Sequence, residues 1–258
     1  MDAPAPNIGA TTQLPRAGFW RRWLSLIIDL VIVMLPFQML AAGLFATTDG
    51  RIQMDSGFFT VCQSGKTIPE GLDPPPPHDS NVMRVCRVSF FGATTGAVLT
   101  VGRVTKEGTT TTSVSQGYML DADGKPIKGT SIDGIVQLAL FAYLVGMIWK
   151  TGRTLGARAV GVRVVDTSDP HRRGVPVLKA ALRYLVMFLG AAPALALLAF
   201  QYETKGSSAD AIFTASFFQM FVIAGLVGAV WAVVLIVQIA WKTDPVYDRL
   251  AGTAVLKS

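Results

Sequence analysis

RRWLSLIIDLVIVMLPFQMLAAGLFA, Arg21 to Ala46, is the stretch that decides the fold. Two arginines and a tryptophan lead into an apolar run longer than the ~20 residues that cross a bilayer, and an aspartate, Asp29, sits inside it. A cleaved signal peptide is the competing reading, given the basic flank and the small residues around Ala41–Gly43. The apolar core exceeds the ~7–15 residues of a signal h-region and carries a carboxylate, so the run reads as a retained helix.

Working outward, three more apolar runs follow: Ile132–Trp149, Ala181–Phe200 and Phe213–Trp241. They explain why a 258-residue chain is 51% hydrophobic and only 16% charged, which excludes an ordinary soluble domain. The expected fold class is an all-α transmembrane bundle of four spanning helices, over 23–46, 132–149, 181–200 and 213–241. A small β-rich extracytoplasmic insertion, 47–131, separates the first two. Residues 1–22, a basic interfacial segment over 150–180 and a tail over 242–258 complete the cytoplasmic side, and 201–212 is a short outer loop.

Orientation comes from the basic residues. Arg16, Arg21 and Arg22 precede the first span, and Lys150, Arg153, Arg158, Arg163, Arg172, Arg173, Lys179 and Arg183 crowd the stretch between the second and third. Lys242, Arg249 and Lys257 follow the fourth, whereas 47–131 holds similar numbers of acids and bases. The positive-inside rule puts both termini in the cytoplasm of a bacterial inner membrane. The net charge of +6 is then a topology and lipid-headgroup signal, with no case for nucleic acid.

The insertion is too long for a structureless connection. MRVCRVSFFG (83–92), AVLTVGRVT (97–105) and TTTTSVSQGYML (109–120) read as strands, and DADGKPI (121–127) as a hairpin turn leading into another. DPPPPH (73–78) is expected to be a polyproline II spacer. Cys62 and Cys86 both fall in this segment, where an oxidising exterior favours a disulfide. Two free thiols is the alternative, and His78 has no partner at metal-ligand spacing.

Asp29 is the informative charge. It lies about 10 Å deeper than Arg22 on the same helical stripe. A carboxylate at that depth must face protein or water. Arg22 and Arg183 are its candidate partners, and Asp248 follows the fourth span closely enough to meet Arg21 or Arg22. Two readings stay open: an ion-coupling acid that cycles during transport, or a static ion pair that fixes helix packing. In TGRTLGARAVGVRVVD (151–166), the first half is expected as a short helix on the inner leaflet and GVRVVD as a strand. Pro36 and Pro193 are expected to kink the first and third spans. Ala224, Gly225, Gly228 and Ala229 should allow close helix contact in the fourth.

Four motifs in order, AGFWRRWLSLIIDLVI (17–32), TGRTLGARAVGVRVVD (151–166), LKAALRYL (178–185) and VYDRLAGTAVL (246–256), resemble the RDD family of bacterial membrane proteins. The resemblance maps the family's arginine to Arg22 and its two aspartates to Asp29 and Asp248. It implies at most a transport role, including cation/proton antiport for some members. The loop of about 85 residues between the first two spans departs from the short loop of many members. Four spans are few for a transporter, so an oligomer or a membrane-protein partner is implied, while the outer unit suits a periplasmic protein partner. No HExxH, GxSxG or phosphate-binding glycine loop occurs, and His78 and His171 fall on opposite sides of the membrane. An enzyme and a bound cofactor are therefore not expected.

Overall fold

The computed structural model describes residues 15–65, 67–108, 110–205, 215–241 and 243–257. The first apolar run is helical over Phe19–Thr47 (α1) and continues uninterrupted through Pro36. The insertion follows as seven strands: β1 (Ile52–Gln53), β2 (Phe59–Ser64), β3 (Val82–Phe90), β4 (Ala93–Glu107), β5 (Thr110–Leu120), β6 (Pro126–Ile127) and β7 (Thr130–Ser131). After α2 (Asp133–Thr151) come α3 (Leu155–Ala159), β8 (Val162–Asp166), α4 (Val177–Met187) and α5 (Ala192–Lys205). The chain ends with α6 (Ala215–Ala240), α7 (Val246–Ala251) and β9 (Thr253–Lys257). Three helices, α1, α2 and α6, are long and apolar enough to cross a membrane, and the pair α4 and α5 is a fourth candidate. This is a multi-pass membrane protein.

Two boundaries differ from expectation. The sequence predicts one unbroken span over 181–200, but the structure breaks it with a 3-10 turn at Leu189–Ala191. Pro193 explains where it resumes: its ring would collide with a helical carbonyl four residues back. As the second residue of α5, it lacks only an N–H that has no intrahelical acceptor. The stretch expected as a tail, 242–258, instead folds into α7 and β9. Residues 1–14, Lys242, Ser258 and most of the 201–212 loop lie outside the described residues.

The chain divides into two compact units. One comprises Leu30–Tyr143 and Phe188–Val233. Its antiparallel sheet has the order β2-β3-β4-β5-β6, and β1 pairs with β7 in parallel. The strands expected from β-branched and aromatic residues are β3, β4 and β5, and the DADG turn closes β5 on β6 with Lys125 N–H bonded to Asp121 Oδ1 at 2.8 Å. Cys62 and Cys86 face each other in register across β2 and β3 and form the disulfide. Ala97, Leu99 and Val101 pack with Tyr118 and Leu120 around Phe45 near the end of α1. Below them Ala41, Met54, Ile132 and Val136 form a second cluster. The fully buried Gln53 amide ties these layers together, donating to Gly50 O (2.6 Å) and Leu120 O (2.9 Å) and accepting from Ala97 N (2.8 Å). In α6, Gly228 is needed for packing: a Cβ there would lie 2.9 Å from Gly190 O, whereas Gly225 faces open space.

The other unit comprises Met1–Asp29, Leu144–Met187 and Val234–Ser258. Here β8 pairs with β9 from Val162↔Lys257 to Asp166↔Thr253. The free edge of β9 takes the N-terminal segment, through Ala17 N to Val255 O (3.0 Å) and Lys257 N to Pro15 O (2.9 Å). Residues 15–17 thus line the same small sheet as β8 and β9.

Candidate functional site

The second unit encloses a cavity of about 180 Å³ lined by Arg22, Ser25, Asp29, Thr154, Arg183, Tyr184 and Tyr247 among apolar side chains from Phe19 to Val255. Of the buried aspartates of this unit, Asp29 at 2% exposure and Asp248 at 0% have different surroundings.

Asp248 sits in the first turns of α7, set there by Pro245 before the helix and by Gly252, at φ 62°, after it. Both arginines reach it. Arg22 Nη1 is 2.8 Å from Asp248 Oδ2, and Arg183 Nη1 pairs with Oδ1. Thr253 Oγ donates to Oδ1 at 2.8 Å. Arg22 is held further by its Nε to Ala17 O (3.1 Å) and by the Tyr247 hydroxyl (3.4 Å). The Arg183 guanidinium lies 5.0 Å from the Tyr247 ring centre and 5.9 Å from that of Tyr184, within cation–π range. The Nε of Arg183 is buried without a hydrogen-bond partner. A carboxylate bonded to two guanidiniums and a hydroxyl has the partners that a buried charge needs.

Asp29 holds the start of α3. Its Oδ2 accepts from the Thr154 hydroxyl at 2.5 Å and its Oδ1 from Gly156 N at 2.8 Å. Thr154 is the N-cap of α3, and its oxygen also accepts from Ala157 N at 3.0 Å. Two backbone donors of the first turn are therefore satisfied, one by the cap and one by a carboxylate from α1, the favourable sign for a helix N-terminus. Gly156 permits this approach, since a Cβ there would run into the Ser25 carbonyl oxygen and lie 2.9 Å from the Asp29 carboxyl.

Sequence reasoning expects Asp29 to be surrounded by Arg22, Arg183 or the Asp248 segment. The structure brings Arg22, Asp29 and Arg183 to one cavity but directs both arginines onto Asp248. Arg21 reaches instead to Val160 O at 3.2 Å. Thr154, Gly156, Tyr184, Tyr247 and Thr253 escape that reasoning. One signal was present: a threonine three residues before Ala157 in TLGA is an N-cap spacing, and it would have turned α3 from a surface helix into a docked one.

A further buried acid anchors the edge of this unit. Asp166 at the end of β8 accepts from Lys179 Nζ (2.6 Å), Ser168 Oγ (2.7 Å) and Ser168 N (2.9 Å). Burial alone would raise its carboxyl, but these donors outweigh it and hold it down to about 2.

Residues 129–252 match the family model described as RDD family. This segment belongs to the RDD family. The matched segment contains Thr154, Gly156, Arg183 and Asp248, while Arg22 and Asp29 precede it. No curated protein matches the chain, and no solved structure does.

Proposed function

We propose that this RDD-family protein is a transport protein or transporter subunit of a bacterial inner membrane, coupled to proton or cation movement through Asp29. Asp29 and Asp248 then serve in different roles. The single observation that carries the reading is that Asp29, a buried carboxylate of the first apolar helix, holds the start of α3 at the wall of a cavity, whereas two guanidiniums hold Asp248. Neutralising Asp29 would weaken its hold on the N-terminus of α3 and would leave the contacts of both guanidiniums to Asp248 in place. Protonation, or cation binding, at Asp29 is thereby linked to the docking of α3 and of the basic segment that follows it.

The proposal includes four spans with both termini cytoplasmic. Pairing of Pro15–Ala17 with β9 supports placing the two ends on one side, and the clustered arginines and lysines support the cytoplasm. Four spans give little room for a pathway, so the active form is proposed to be a homo-oligomer or a complex with another membrane protein. The test is proton flux in liposomes driven by a cation gradient. Flux in the wild type, lost in a folded Asp29→Asn, supports the reading; equal flux in both would overturn it.

The second reading is a scaffold whose outer sheet binds a periplasmic protein. Its support is β2, a sheet-edge strand exposed along its whole length. Absence of flux in wild-type protein of every oligomeric state would favour this alternative.

A further inference from the structure

The outer sheet has one end unlike the rest. β3 and β4 are joined by the two-residue loop Phe91–Gly92, closed by the pair Phe90↔Ala93. Both loop residues have positive φ, 47° at Phe91 and 87° at Gly92. A two-residue turn of that kind normally takes Asn-Gly, and a bulky residue in the left-handed region is an outlier. Phe91 is nevertheless 83% exposed. Phe58 and Phe59 are also exposed, and Phe59 is paired in register with Ser89 next to the tip. No charged residue occurs from Ser56 to Gly65 or from Val88 to Gly102.

Contacts within this unit fix the level of the tip along α1. Met83 and Val85 of β3 pack on the cluster that contains Phe45. Val88, further along β3, lies where a Cβ on Gly57 would collide with it, and the same Cβ would stand 3.3 Å from the Gln38 amide. Phe45 to Gln38 is about 10 Å down α1. β3 therefore descends beside α1 toward the apolar span. Gln38 donates to Ser56 O at 2.7 Å, and Ser56 donates through its N–H and hydroxyl to Asp133, the first residue of α2. Val88 is thus level with the start of the second span, and Phe91 reaches roughly 7–10 Å beyond it at strand rise.

We propose that the Phe90–Phe91 tip, with Phe58 and Phe59 beside it, is a lipid-binding wedge that enters the outer leaflet. The occupant is the boundary between headgroups and acyl chains. Level, lack of charge and aromatic content fit that layer, where aromatic rings and apolar faces are buried by several ångströms. The charged side chains of the sheet keep clear of the tip: Arg87 lies level with Ala97, and Arg103 and Lys106 lie toward the far end of β4. The sheet would then be tied to the membrane at a point separate from the helices that carry it.

The test labels Phe91→Cys with a bimane fluorophore, leaving the Cys62–Cys86 disulfide oxidised, and reconstitutes the full chain in phosphatidylcholine/phosphatidylglycerol vesicles. Lys106→Cys serves as the reference. The wedge requires the Phe91 position to lose most of its emission to spin-labelled acyl chains and little to aqueous iodide, with the opposite pattern at Lys106. Iodide quenching as strong as at Lys106 would overturn the proposal. Protection from both quenchers, with crosslinking between copies at this position, would also overturn it in favour of a second copy of the chain. If Phe91→Cys does not fold, Phe59→Cys reports on the same level and is held to the same outcomes.

Discussion

Asp29 and Asp248 are buried carboxylates of the same unit, yet one caps a helix and the other closes an ion-pair cluster. The difference teaches how two acids can sit together in an apolar setting without sharing a role. Asp248 faces two permanent cations, so removing its charge strands them. Asp29 accepts from a hydroxyl and a peptide N–H at the start of α3, so removing its charge weakens those hydrogen bonds. The two acids thus differ in what their loss would unpair.

The largest effect that would break this comparison is on stability. Asp248→Asn should cost about 3–5 kcal/mol, as expected when one member of a buried ion pair is removed. Asp29→Asn should cost less, about 1.5–3 kcal/mol, since a charge-assisted hydrogen bond at the start of α3 is lost. Thermal melts in detergent check both, and similar losses would erase the distinction. Gly156→Ala comes next at about 1–3 kcal/mol, because α3 must move off α1. A melt that matches the wild type would mean that α3 is not docked on Asp29. Thr154→Val should cost about 1 kcal/mol through loss of the cap, and backbone amide exchange should rise in α3 but not in α7.

The effect at Asp166 appears only at acid pH. Its folded-state carboxyl lies at about 2, below the ordinary 3.8, so its contribution is fully present above about pH 4. It is lost progressively as pH falls from about 4 toward 2. Lys179→Met should flatten the acid side of the stability profile in that window, measured by melts at stepped pH. An unchanged profile would show that Lys179 does not hold the carboxyl down.

Much of the membrane frame is legible in the sequence because hydropathy is a local property. Trp23 to Ala46 and Phe213 to Trp241 declare themselves without knowledge of any partner, and so do the β-branched runs that become β3, β4 and β5. What escapes is long-range. β9 has five residues, and its strand character depends on β8 about 90 positions earlier and on Pro15–Ala17 at the other end of the chain. The break before α5 needed Gly190 to be read together with Pro193, since the turn packs Gly190 against Trp231 and Gly228.

The site was half legible for the same reason. Arg22, Asp29, Arg183 and Asp248 stand out as charges in or beside apolar runs, but composition cannot say which arginine meets which acid. That depends on where α7 brings Asp248, and on Gly156 being small enough for α3 to reach Asp29 first. Gln38 and Gln53, buried amides that position the outer sheet, carry no charge to attract notice.

The central proposal is that Asp29 couples to proton or cation movement while Asp248 stays paired with Arg22 and Arg183. Infrared difference spectra of reconstituted protein, recorded while pH is lowered, test it most directly. The account predicts a protonated-carboxyl band from a buried acid that disappears in Asp29→Asn and persists in Asp166→Asn. A band that survives in Asp29→Asn unchanged would contradict it and return Asp29 to the role of a fixed helix cap.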